Sequence, residues 1–306
     1  MPAALPPLVV LLGLGFALLL ALLIAMTAWR LTHPPRRSYA SAVSRGEPGD
    51  PSELDTPLAW ERWTAKSHGE TFDVWDIGGQ DPTGPVVIFA HGWGDSRMGS
   101  LARAQHLAPH CSRMIAFDLP AQGERGGWLR MGAREHDDML AIAERVREDT
   151  DAPIVLFGWS LGAGVCIAAA AADDAGIISA VVAEAAYRHV RTPARNVLHY
   201  SGMPWRLNLA PALWIIGTLA GVGPTWRSFD RREIATRLRT PLLLLHGIDD
   251  PISPVEDARV IAEATPPQAT LVEVEDAEHN DLWLDPYAEQ SAKAVVDFLG
   301  RLRAAD

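Results

Sequence analysis

Ile154-Val155-Leu156-Phe157-Gly158-Trp159-Ser160-Leu161-Gly162-Ala163-Gly164 is the stretch that decides the fold. Four consecutive apolar residues suit a strand buried on both faces of a sheet. The Ala-rich run from Ala163 to Ala172 then reads as a helix of small residues, able to approach that sheet closely. Between them lies G-x-S-x-G, a pattern with meaning only where a strand precedes it and a helix follows, as here. A sharp turn would hold Ser160 in a strained backbone conformation, and glycines two positions to either side remove the Cβ atoms that would collide. Ser160 also opens a helix, where backbone N–H groups favour developing negative charge.

Further apolar runs lie on both sides: Val86 to Ala90, Met114 to Phe117, Ala180 to Ala183, Leu242 to His246 and Leu271 to Val274. Leu58 to Ala65 and Thr71 to Ile77 instead alternate in polarity, as a half-buried antiparallel pair does. Helical patterns such as Ala133 to Arg147 and Asp285 to Leu302 intervene, and strands alternating with helices predict an α/β sheet covered on both faces. Ligands of such sheets bind beyond the carboxyl ends of the strands. There the sequence puts His91-Gly92-Trp93-Gly94 after one run, Asp249 and Asp250 after another, and His279 between the last strand and the last helix. A serine hydroxyl needs a base oriented by a third group. His279 is the candidate base, and a carboxylate from Asp249 or Asp250 the candidate orienting group. The glycines of the His91–Gly94 loop would let a backbone N–H, that of Trp93, face the N–H of Leu161 across a developing oxyanion. Trp93 and Trp159 flank this place and are candidates to line an acyl pocket, whereas Trp60, Trp63 and Trp75 are assigned to sheet packing.

This set of motifs resembles the α/β-hydrolase superfamily over roughly Leu58 to Leu302. More narrowly it is similar to serine-aminopeptidase-like and monoacylglycerol-lipase-like hydrolases, including membrane-anchored ABHD-type proteins. The chain order Ser, Asp, His is that superfamily's order. The resemblance implies an α/β-hydrolase fold with a mostly parallel central sheet flanked by helices and a helical cap. It implies Ser160 as nucleophile, His279 as general base and then acid, and Asp250 as orienting acid, because His-Gly-x-x-Asp puts the acid in the fifth position. No cofactor and no metal are implied. Asp118-Leu119-Pro120-Ala121-Gln122-Gly123 is similar to the family's Asp-x-x-Gly-His-Gly, with Ala121 and Gln122 departing from it. The implied activity is cleavage of an ester, thioester or amide through an acyl-enzyme. The same groups could transfer the acyl group to another acceptor, or the chain could be a catalytically silent, membrane-tethered binding protein.

The insertion from about Ala185 to Thr240 is too long for a simple crossover and resembles the cap of such hydrolases. Within it Leu207 to Val222 carries no charge. It is open to three readings: a lid helix over an apolar pocket, which is preferred, a membrane-dipping helix, or a second span. A second span is disfavoured by marginal length and by Pro211.

The N-terminal region is different in kind. Leu8 to Trp29 is almost wholly apolar, and about 22 residues at about 1.5 Å each reach about 33 Å, enough for a hydrocarbon core of about 30 Å. A signal peptide would want a basic residue before the run and a good small-x-small cleavage site after it, whereas no Lys or Arg precedes the run and Ala25-Met26-Thr27-Ala28 is a poor site. An uncleaved anchor is therefore expected in residues 1–31. Arg30, Arg36, Arg37 and Arg45 all follow it, so the positive-inside rule predicts a single-pass protein with its remaining chain cytoplasmic. Residues 32–57, rich in Pro, Gly and Ser, read as a linker resisting helix and sheet, with the hydrolase domain spanning 58–306.

Composition excludes several classes. Among 306 residues, 38 acidic side chains against 27 basic give a net charge of −11, which disfavours a phosphate backbone as partner. Hydrophobic residues at 48% exclude a disordered chain. Two cysteines, Cys111 and Cys166, exclude a disulfide-stapled scaffold and a cysteine-only zinc site. The glycine loop lacks G-x-G-x-x-G and the Walker lysine, so a nucleotide is not expected. His106 and His110 have i, i+4 spacing, but Pro109 interrupts the helix and no acidic partner follows, so they are read as surface histidines. The partners expected are thus a small acyl or ester substrate and, through the first helix, a lipid membrane.

Overall fold

The computed structural model describes residues 6–266 and 269–303. Eight strands form one sheet: β1 (Trp60–Ser67), β2 (Glu70–Gly78), β3 (Val86–Ala90), β4 (Arg113–Phe117), β5 (Ile154–Trp159), β6 (Ile178–Glu184), β7 (Leu242–Gly247) and β8 (Ala269–Val274). Their spatial order is β1-β2-β4-β3-β5-β6-β7-β8. β1 and β2 pair antiparallel, β2 runs antiparallel to β4, and every later neighbour is parallel. The alternating pair and the continuous apolar runs therefore occupy the places their polarity patterns assign them. Ten α-helices are described: α1 (Pro7–Thr32), α2 (Tyr39–Val43), α3 (Leu101–Leu107), α4 (Glu135–Arg147), α5 (Leu161–Ala171), α6 (Arg191–Tyr200), α7 (Leu209–Leu219), α8 (Arg231–Ala235), α9 (Val255–Ala264) and α10 (Ala288–Arg303).

Alternate residues of each central strand feed two cores. On one face Ile88, Ile115, Leu156, Val181 and Leu244 pack with α4, α5, α8 and α9. On the other Val87, Phe89, Phe157, Val182 and Leu245 pack with α3 and α10. Alternation on strands buried on both faces explains why these runs read as unbroken apolar stretches. Gly164 gives α5 its close seat. A Cβ there would lie 2.2 Å from Nε of Arg231, a wholly buried guanidinium that stacks on Phe229 and Tyr187.

The segment read as a linker is part of the fold. Ser38 and Ser41 form a reciprocal capping box at the start of α2, and Asp50 caps a 3₁₀ turn at Pro51–Glu53. These short elements arise from local side-chain to backbone bonds rather than from hydrophobic periodicity, which is why composition alone suggested an unstructured stretch. The stretch from Leu207 to Val222 also resolves. Its helix has 11 residues, about 16 Å at 1.5 Å per residue, too short to cross a bilayer. α1 is the one described helix long and apolar enough to do so.

Candidate active site

Ser160 stands between β5 and α5 with φ +53° and ψ −113°, outside the regions open to ordinary L-residues. Its N–H donates to the carbonyl oxygen of Glu184 at 2.8 Å, tying the turn to the end of β6. A Cβ on Gly158 would lie 2.2 Å from the carbonyl oxygen of Gly162, and one on Gly162 would lie 1.9 Å from that of Ala90. Both clashes are with backbone, so the two glycines are sterically required.

His279, in the loop after β8, brings Nε2 to 3.0 Å from Ser160 Oγ, while its Nδ1 lies 2.7 Å from Oδ2 of Asp250. Asp250 follows β7 and is buried; its Oδ1 accepts from the N–H groups of Ile252 and Ser253, both at 2.8 Å. Asp249 is exposed, and of the two aspartates left open by position the structure brings Asp250 to the imidazole. Burial works against the Asp250 carboxylate, yet hydrogen bonds from His246, His279 and Ser253, with the charge of His279, hold its pKa down to about 2. A carboxyl whose pKa falls on folding lends stability above its unfolded value and loses it as pH drops through the folded one. The stability gap between the wild type and Asp250→Asn, followed by thermal unfolding, should therefore narrow by roughly 2 kcal/mol between pH 5 and pH 2.

The loop after β3 is built on His91. Its Nε2 accepts from Leu119 N–H at 2.9 Å, so Nδ1 carries the proton and donates to the Gly92 carbonyl at 2.8 Å. Gly92 lies against Trp159 and Ser160. Gly94 N–H donates to Oε1 of Gln122 at 2.6 Å, and Asp95 N–H donates to the Gly92 carbonyl at 3.4 Å. Among the described residues no acceptor occupies the N–H of Trp93, and Leu161 N–H belongs to the unpaired first turn of α5. Gln122, one of the departures in the Asp118–Gly123 stretch, thus braces this loop, and Ala121 adopts φ +63° where the resembling proteins carry glycine.

Ser160, Leu161, His279, Trp93 and Trp159 line one cavity of about 840 Å³. One wall comes from an unexpected source, the end of α1 and the segment after it: Leu31, Pro35, Arg36 and Arg37. The Leu31 carbonyl accepts from the indole N–H of Trp93 at 2.9 Å. Arg37 donates to Asp95 at 2.8 Å, and the other oxygen of Asp95 accepts from Trp159 Nε1 at 3.1 Å. Residues on both sides of Ser160 are therefore held by the end of α1 and the segment after it. Nothing in the local sequence signals a carbonyl acceptor at Leu31.

A second group missed by motif reasoning lies beneath the turn. Arg103 donates two hydrogen bonds to Glu184, at 3.1 and 2.5 Å, Trp283 Nε1 donates to the same carboxylate at 2.7 Å, and the guanidinium lies 3.9 Å from the Trp159 ring centroid. All are buried in a medium where an unpaired charge is costly. Glu184→Ala strands Arg103 and should cost about 3–5 kcal/mol in a denaturation experiment. Among the remaining candidates, His106 packs on Trp283 and His110 is exposed. Cys111 and Cys166 are both buried, and burial pushes the Cys166 thiol far up, so it packs as an apolar group.

A mostly parallel sheet with its serine on a strained strand-to-helix turn defines an α/β hydrolase. The chain belongs to the alpha/beta hydrolase family, whose model matches residues 87–297, and hydrolysis is its general activity. It is 24% identical over 245 residues to the uncharacterized protein YfhR of Escherichia coli K12, covering 78% of each chain. Among solved structures it is similar to the Pyrococcus furiosus esterase Pf2001, with a TM-score of 0.69 at 20% identity, covering 89% of this chain and 98% of that one. The Pyrococcus horikoshii acylaminoacyl peptidase matches with a TM-score of 0.58 at 17% identity, over 81% of this chain and 42% of that one. At these identities the likeness is one of fold.

Proposed function

We propose that this chain is a single-pass, membrane-anchored serine hydrolase that cleaves an ester, thioester or amide of an acyl or lipid-like substrate through an acyl-enzyme. The observation that carries it is the continuous path from Ser160 Oγ through the His279 imidazole to the Asp250 carboxylate, at 3.0 and 2.7 Å.

In this mechanism Ser160 Oγ attacks the substrate carbonyl as its proton passes to Nε2 of His279, and the N–H groups of Trp93 and Leu161 receive the oxyanion. Asp250, ionised at every working pH, keeps the proton on Nδ1 so that Nε2 is free to accept, and it stabilises the imidazolium that forms. The imidazolium then protonates the leaving group. A water molecule deprotonated by the same imidazole releases the acyl chain and restores Ser160. The cavity of about 840 Å³ lies in the range that encloses small organic ligands, and its apolar Trp93, Trp159 and Leu284 walls favour an acyl chain.

In this reading the anchor is residues 1–31, of which 1–5 lie outside the described residues, residues 32–57 link it to the hydrolase domain and supply part of the cavity wall, and the domain spans 58–306 with its cap at about 185–240, on the cytoplasmic side by the charge rule. Burial of Thr27 and Leu31 against the rest of the chain supports a helix that is retained rather than cleaved. A fluorophosphonate probe should label the full-length protein in detergent at the Ser160 peptide, and p-nitrophenyl esters should be hydrolysed with a preference for longer chains. Absence of both labelling and turnover would refute the assignment, and a preference for aminoacyl substrates would move it toward a peptidase.

A further inference from the structure

α7 has two faces. Leu209, Ala212, Leu213 and Ile216 are buried, whereas Trp214, Ile215 and Leu219 are exposed, with Leu207 just before them exposed by 66%. No charged residue occurs from Leu207 to Trp226, and Arg206 and Arg227 stand at the two ends. Exposed apolar side chains on an uncharged helix are better matched by hydrocarbon than by water, and arginines at its two ends are placed as basic residues are at a membrane–water boundary.

Its place beside α1 identifies what covers that face. α1 is outwardly apolar until its last turns. A hydrocarbon core of about 30 Å takes up about 20 residues, Pro7 to Met26. The next residue, Thr27, is wholly buried, and its Oγ1 accepts from Nδ2 of Asn208 at 2.6 Å. The start of α7 therefore sits at the depth where the hydrocarbon ends and the headgroups begin. Exposed Trp29 and the adjacent Arg30 follow Thr27 on α1, and Arg206 stands two residues before Asn208, as aromatic and basic residues do at that depth. The cavity around Ser160 meets the same level, since Leu31 and Arg36 line it.

We infer that the exposed face of α7 beds in the lipid surface beside α1, so that the cavity takes an acyl ester resident in the bilayer rather than one dissolved in water. This rests on the membrane-anchored reading above, and the test separates the two. The full-length protein is reconstituted in vesicles of phosphatidylcholine and phosphatidylglycerol, carrying one environment-sensitive fluorophore at Trp214→Cys, Leu219→Cys, Leu14→Cys or Arg301→Cys; the buried native cysteines stay in place. Lipids bearing a nitroxide near the headgroup should quench the labels at 214 and 219 at least about twofold while aqueous iodide does not, with the reverse at 301. Iodide reaching 214 and 219 while the label at 14 responds only to lipid would leave the anchor standing and overturn the inference. Protection of 214 and 219 from both quenchers would assign the face to a second protein copy and overturn it as well. Iodide reaching position 14 would overturn anchor and inference together. As a second readout, Trp214→Asp combined with Leu219→Asp should lower the ratio of vesicle-borne to detergent-dispersed ester hydrolysis about tenfold. An unchanged ratio would refute delivery from the bilayer.

Discussion

Ser160→Ala is expected to lower kcat for a p-nitrophenyl ester by about 10⁶-fold, which is about 8 kcal/mol of transition-state stabilisation. The substitution removes one oxygen and little else. Alanine keeps the Cβ, and the turn's conformation, with φ +53° at residue 160, is imposed by the N–H bond to Glu184 and by the close passages at Gly158 and Gly162. Unfolding should therefore shift by less than about 0.5 kcal/mol, the range of substitutions that leave packing intact. The large kinetic loss with the small thermodynamic one is what separates a nucleophile from a structural serine. His279 gains no new partner, so the variant should still bind ester and retain a weak background rate from oriented N–H donors alone. A variant retaining more than about a hundredth of the wild-type rate would mean that another group attacks the carbonyl.

The parts of this site that were legible in the sequence are those where sterics or polarity act over a few residues. Gly158 and Gly162 had to be glycine because backbone atoms pass within 2.2 Å of where their Cβ atoms would be, and a strand–turn–helix context announces such a turn. β3 was readable to the residue because both its faces are buried, so it tolerates only apolar side chains. The wall made by residues 31–37 was not legible, because its bonds run from Leu31 and Arg37 to Trp93 and Asp95, about 60 positions away. The Arg103–Glu184 pair spans 81 positions and follows no motif. α7 is ambiguous for a different reason. A helix with no charge on any side has little periodicity to say which face looks inward, and its packing on α1, where Asn208 meets Thr27, is visible only in the structure.

Asp250→Asn should reduce kcat by about 10⁴-fold with little change in KM, while Asp249→Asn should stay within about twofold of the wild type. The asymmetry follows from where the two oxygens of residue 250 point. Oδ1 accepts from Ile252 and Ser253 N–H, and the asparagine carbonyl oxygen can take over both bonds, so the loop after β7 should keep its form. The amide nitrogen is then left facing Nδ1 of His279, at the place where Oδ2 accepts at 2.7 Å. Two donors cannot share that contact, so Nδ1 must give up its proton and become the acceptor. The tautomer inverts, Nε2 carries the hydrogen, and the nitrogen 3.0 Å from Ser160 Oγ can no longer receive the hydroxyl proton. Substrate binding does not depend on that transfer, which is why the loss should fall on kcat. Asp249 is exposed at the same turn, so its neutralisation removes a similar charge from the neighbourhood without touching the imidazole. Equal losses in both variants would point to the field of the loop rather than to the tautomer. A fully active Asp250→Asn enzyme would mean that His279 is held in its working form by some other group.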